Sequence, residues 1–234
     1  LHKDITVHID QLSAAELATH LEALQQQYNA LKGLNLALDL TRGKPCTEQV
    51  ALSDALDGIL KGNYLAANGT DVRNYGGLEG LPEARALFAH VLQIPSEETL
   101  IGGNSSLTLM YNTIDFALTE GLSGPASAWG NNDTVKFLCP PPGYDRHFAI
   151  CEHLGIEMIP VPMLDTGPDM DLIESLVQED HAIKGIWCVP RFSNPTGCVY
   201  SDATVERIAR LGLVAGEHFV VMWDNAYAIH TLYD

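Results

Sequence analysis

The sequence predicts an α/β fold: a mostly parallel sheet enclosed between two helical layers, with a helical arm ahead of it. Three observations predict it. Beyond residue 100, short apolar runs recur at 135–139, 156–161, 185–189 and 219–223. Helix-like segments at about 145–154, 171–177 and 202–215 separate them. Each run is unbroken rather than alternating, the pattern of parallel strands covered on both faces. Strands spaced by helices of this length read as βαβ units, a three-layer αβα arrangement.

The elements follow in chain order. Ser13-Ala14-Ala15-Glu16 has the form of a capping box, with Ser13 as N-cap and Glu16 at the third helical position. Leu17, His20, Leu21, Leu24, Tyr28 and Leu31 then recur at helical spacing until Gly33. A loop, Thr41-Arg42-Gly43-Lys44-Pro45, follows. Gly102-Gly103-Asn104-Ser105-Ser106 precedes a second helical run made by Leu107, Met110, Tyr111, Ile114 and Leu118. The four strand candidates and their helices complete the chain. No repeat or low-complexity tract interrupts it.

Composition narrows the function. Thirteen Lys and Arg stand against 30 Asp and Glu, a formal charge of -17 in 234 residues. A duplex-binding surface needs clustered cations to displace counterions, so nucleic acid is disfavoured as a partner, and so is an anionic membrane. No apolar stretch reaches the ~18–20 residues of a membrane span. The N-terminal residues lack the apolar centre of a signal peptide. Five scattered cysteines, Cys46, Cys139, Cys151, Cys188 and Cys198, form no CxxC pair. They suit reduced thiols in a cytoplasmic protein without a structural metal.

In parallel sheets, ligands bind beyond the carboxyl ends of the strands. Three such ends carry chemistry: Pro142-Gly143-Tyr144, Ser193-Asn194-Pro195-Thr196-Gly197 and Asp224-Asn225-Ala226-Tyr227. Tyr144 could cover a flat ligand or lie on a surface turn. Asn-Pro and Thr-Gly are also ordinary turn chemistry. Asp224 is informative because a carboxylate at a buried strand end needs a cation or donor. Gly103, Asn104 and Ser105 at a helix start could cradle a phosphate or simply cap the helix. Gly76-Gly77-Leu78-Glu79-Gly80 looks like a dinucleotide loop, but no strand precedes it. His147 and Cys151, four apart on one helix, have metal-pair spacing but read better as a packed face. Arg191 could meet a substrate carboxylate, though an outward salt bridge is the plainer reading.

Taken together, four motifs in order resemble the fold-type I pyridoxal-phosphate transferases, the aspartate aminotransferase superfamily. They are Asn74-Tyr75-Gly76-Gly77-Leu78-Glu79-Gly80, the 102–106 helix start, Ser193-Asn194-Pro195-Thr196-Gly197 and Asp224-Asn225-Ala226-Tyr227. The likeness runs from about Gly43 to the end of the chain and is strongest to the divergent aspartate aminotransferase branch, which also resembles MocR-type regulators. It implies pyridoxal 5'-phosphate as cofactor. Gly103, Asn104 and Ser105 would hold its phosphate, and Tyr144 would stack on its ring. Asn194 and Tyr227 would bond the phenolic oxygen, and Asp224 would pair with the pyridine nitrogen. Tyr75 would reach the phosphate of a neighbouring subunit, implying a homodimer with shared sites. Gly43 would lie against the substrate carboxylate. Asp224 and Tyr227 are the catalytic candidates. A carboxylate beside the pyridine nitrogen keeps it protonated, and each unit of pKa so gained is worth about 1.4 kcal/mol.

The resemblance also implies a domain plan: residues 1–45 as N-terminal arm and part of a small domain, 46–234 as a cofactor-binding large domain incomplete at its C-terminus. The family's Schiff-base lysine falls some way beyond the Asp-x-x-Tyr motif. Lys3, Lys32, Lys44, Lys61, Lys136 and Lys184 do not match it. The expectation is therefore a truncated aminotransferase acting on an α-amino acid, with aspartate a candidate, and a 2-oxo acid. The alternative is a non-catalytic, cofactor-binding effector domain of a MocR-type regulator.

Overall fold

The structure, a computed structural model, describes residues 9, 12–38 and 43–230. Thr41 and Arg42 of the expected loop lie outside the described residues, as does Lys3. The chain divides into two compact units, Leu1–Asn63 and Tyr64–Asp234.

In the first unit, α1 spans Ala14–Gly33 and carries the capping box in full. The Ser13 amide donates to Glu16 Oε2 at 2.9 Å, and the Glu16 amide donates to Ser13 Oγ at 3.4 Å. No α1 residue is buried; Leu21, Leu24, Tyr28 and Leu31 along its apolar stripe are at least 60% exposed. A short helix, α2 (Thr47–Val50), runs into a 3₁₀ turn at Ala51–Leu56.

The second unit opens with α3 (Pro82–Leu92), which has Pro at its first turn, where a missing N–H costs nothing. Arg85 of α3 donates to the carbonyls of Ser96 and Thr99 and fixes the following turn. Next comes α4 (Ser106–Thr119). The core follows: β1 (Lys136–Cys139), α5 (Asp145–His153), β2 (Glu157–Pro160), a small antiparallel pair β3 (Met163–Leu164) and β4 (Gly167–Pro168), α6 (Met170–Glu179), β5 (Ile183–Cys188), α7 (Asp202–Arg210) and β6 (Val220–Trp223). The main sheet has four parallel strands in the order β2-β1-β5-β6. Leu138, Ile183, Ile186 and Cys188 pack with residues of α6 and α7 on one face. Phe137, Cys139 and Trp187 pack with Ile114 and Ala117 of α4 and Ile150 and Cys151 of α5 on the other. This is the three-layer αβα arrangement. Gly185 is required where it stands: a Cβ there would strike the Phe137 ring and come within 2.8 Å of the Val220 carbonyl.

Two expectations shift. Burial on both faces holds for β5 and nearly for β1, whereas β2 and β6 are partly exposed because the strand order puts them at the edges. The helix expected over 202–215 ends at Arg210 and tightens into a 3₁₀ turn at Leu211–Leu213. Among the described residues no helix is long and apolar enough to cross a membrane.

Candidate active site

Parallel register brings the carboxyl ends of β1, β5 and β6 to one edge of the sheet. Cys188 pairs with Trp223, and the next residue, Asp224, donates its amide to the Cys188 carbonyl at 2.8 Å. Asp224 therefore leaves β6 at a fixed height beside the end of β5. Its carboxylate is only 11% exposed and lies 3.0 Å from Nε2 of His147, itself 1% exposed. A carboxylate offers only acceptors, so the imidazole donates through Nε2–H. The other oxygen, Oδ1, accepts from the Ala226 amide at 3.2 Å, shaping the turn that leads to Tyr227.

His147 reaches this position because α5 begins at the end of β1, with Tyr144 as its N-cap residue. A side chain in the first turn leans toward the helix N-terminus, here toward the strand ends. The Tyr144 ring, half-buried, meets the imidazole edge-on at 5.1 Å between centroids. On its other side the imidazole lies flat on Trp187, 4.5 Å away at an interplanar angle of 11°. Among the described residues, Tyr144, His147, Trp187, Ser193 and Tyr200 enclose a residual space of about 10 Å³, at or below what one water needs.

The loop after β5 is drawn to the loop after β6. Arg191 Nη1 donates to the Ala228 carbonyl at 2.8 Å. The outward salt bridge expected for Arg191 does not form among the described residues; the guanidinium ties together the two loops that carry Asn194 and Tyr227. Phe192 takes φ 51°, a left-handed backbone that bulky residues rarely adopt. Ser193 is buried, and its carbonyl accepts from Gly197 at 2.6 Å, so Asn194 is presented at the exposed tip of a closed turn.

Gly103 has φ 94° and no atom within 4 Å of a would-be Cβ, and Ser105 caps α4 by accepting from the Thr108 amide at 3.3 Å. Asn104 is exposed between them. No hydrogen bond among the described residues joins this turn to Asp224. Tyr75 is fully exposed. Gly43, also exposed, belongs to the first unit.

The model of the family described as aspartate amino-transferase matches residues 12–234. The chain belongs to the aspartate amino-transferase family. It is 51% identical over 221 residues to a Mycolicibacterium smegmatis protein provisionally named an aminotransferase, covering 93% of this chain and 51% of that one. It is 45% identical over 230 residues to an aspartate aminotransferase of Corynebacterium glutamicum, covering 98% of this chain and 53% of the relative. A crystal structure of an aspartate transaminase from Corynebacterium glutamicum superposes with a TM-score of 0.85 at 45% identity, over 95% of this chain and 52% of that one. The chain thus spans about half the length of the curated relatives it matches.

Within this member of the family, sequence reasoning missed three residues of the cluster. His147 read as a packed helix face, and it is packed, but its Nε2 also serves Asp224. The available signal was its place one turn after Tyr144, on a helix entering from a strand end. Trp187 read as core apolar residue, with nothing to mark the ring it would carry. Arg191 stood next to the Asn194 turn, but its acceptor, a backbone carbonyl of another loop, leaves no trace in residue types.

Proposed function

We propose that this chain forms the pyridoxal-phosphate-binding part of an aminotransferase that moves an amino group between an α-amino acid, aspartate foremost, and a 2-oxo acid. The observation that carries this reading is the Asp224 carboxylate, held at the end of β6 by a buried histidine. Such a fixed, poorly solvated anion suits a cationic ring nitrogen, whose charge it would stabilise.

The donor set fits the cofactor. A flat ring would find the half-buried Tyr144 ring beside the strand ends. The exposed amide of Asn194 and the hydroxyl of Tyr227 are of the right kind to hydrogen-bond a phenolic oxygen. The α4 N-terminus, with Ser105 as cap and the open backbone at Gly103, suits a phosphate. When bound, pyridoxal phosphate supplies the electron sink for the substrate carbon that bears the amino group. The task of this chain is orientation and electrostatics. Asp224 holds a proton on the ring nitrogen, and His147, by donating to Oδ2, fixes the direction of that carboxylate. Asn194 and Tyr227 would hydrogen-bond the phenolic oxygen, and Arg191 ties their two loops together.

The family assignment and the half-length 45–51% relatives support the activity. A homodimer and a cytoplasmic location belong to the same proposal. The fully exposed Tyr75 would reach the phosphate of a second copy. Incubation of the intact protein with pyridoxal phosphate, aspartate and 2-oxoglutarate is expected to give glutamate and oxaloacetate. Cofactor binding without amino transfer from any amino acid would favour the effector-domain alternative.

A further inference from the structure

The plane of the His147 ring is set by more than its hydrogen bond to Asp224. Among the described residues, the imidazole makes one side-chain hydrogen bond, to Asp224. One bond fixes where Nε2 points but does not by itself set the ring plane, which the packing around the buried ring must supply. The residual space lined by Tyr144, His147 and Trp187 is small, about 10 Å³, so packing rather than solvent surrounds the ring. Tyr144 meets the imidazole only edge-on, at 5.1 Å, whereas the indole of Trp187 lies parallel to its face at 11° and 4.5 Å. Trp187 is 3% exposed, and its own Nε1–H donates to Cys151 Sγ at 3.2 Å. Cys151 stands four residues after His147 on α5, so it holds the indole from the next turn of the same helix.

We infer that Trp187 is a positioning residue of this site. Its anchored indole face sets the plane of the His147 ring and thereby keeps Nε2–H on the Asp224 carboxylate. The set runs from Cys151 through Trp187 and His147 to Asp224, from the sheet–helix interface out to the strand ends. Every contact but the last is buried. A stacked pair of rings carries the geometric preference this requires, offset or parallel faces at short centroid distance. The consequence for the reaction rests on the aminotransferase reading; the consequence for the His147 ring does not.

The experiment follows the His147 Nε2–H proton by NMR in the intact protein without added cofactor, measuring its exchange with solvent. Trp187→Phe keeps a ring but loses the anchor to Cys151. Trp187→Leu loses the face altogether. Exchange is expected to quicken in W187F and to quicken further in W187L. The Trp129 Nε1–H, which donates to the His218 carbonyl at 3.1 Å, serves as the internal reference and should hold its rate. Unchanged His147 exchange in W187F overturns the inference, whether or not W187L folds. Equal quickening at His147 and Trp129 also overturns it, because the change is then a loss of stability. With pyridoxal phosphate added, W187F should lower kcat more than it raises KM. If the wild-type protein binds no cofactor, the aminotransferase reading fails while the exchange result still decides the role of Trp187.

Discussion

His147 Nε2 lies 3.0 Å from Asp224 Oδ2, although the two residues are 77 positions apart and sit on different elements. The contact is possible because α5 starts at the end of β1 and Asp224 follows the last residue of β6, with β5 between the two strands. A carboxylate at this depth needs a donor, and the fold provides it from a buried helix turn. The same pairing fixes the carboxylate at the strand ends, where the proposed cofactor would present its ring nitrogen.

Replacing Asp224 by Ala should reduce amino transfer far more than cofactor binding. Loss of a fixed charge partner at a reacting group typically costs about 10²–10³ in kcat. Steady-state kinetics beside an absorbance titration with pyridoxal phosphate separates the two effects. Equal losses in both would mean that Asp224 only helps to hold the ligand.

His147→Ala should strand the Asp224 carboxylate without its side-chain donor. The expected cost is about 1–3 kcal/mol, read from the urea midpoint. His147→Gln, which can still donate from its amide, should recover part of it.

Gly185→Ala tests the packing that supports the site. Its methyl group would meet the Phe137 ring and the Val220 carbonyl inside the sheet. Overpacking of this kind costs about 1–3 kcal/mol, so thermal denaturation should move to lower temperature. A neutral outcome would place Phe137 elsewhere.

Acid stability has one defined contributor at the other end of the sheet. Lys136 Nζ lies 2.9 Å from Asp180 Oδ2, and this hydrogen bond holds the Asp180 carboxyl below its ordinary value. A lowered folded-state value means the pair stabilises the fold above the ordinary carboxylate range and loses that contribution as pH falls through the folded value. Both side chains are partly exposed, so solvent screening keeps the contribution small. Lys136→Met should flatten the acid limb of the stability–pH curve while leaving stability below the folded-state value of Asp180 little changed.

Much of this architecture is written locally. The α1 capping box, the strand runs and the helix starts at Ser105 and Asp202 come from short-range chemistry, and each lies within a residue or two of where that chemistry puts it. Edge exposure of β2 and β6 is not legible in the same way, because strand order is a property of the whole sheet. In the site, Asp224, Tyr144 and the Asn194 turn stand at strand ends, where position alone marks them. The partners of Asp224 and Arg191 are visible only once the strands are in register. Trp187 reads as core in the sequence and is core in the structure; the ring lying on it is what gives it a further part.

The central claim is that the Asp224 edge of the sheet receives pyridoxal phosphate. The most direct measurement is an absorbance titration of the intact protein with the cofactor, run in parallel on Asp224→Ala and Asn194→Ala. Saturable one-to-one binding in the wild type, with the bound cofactor's absorption band altered in both variants, is the result expected. Binding with an identical band in all three proteins, or no saturable binding at all, would contradict it.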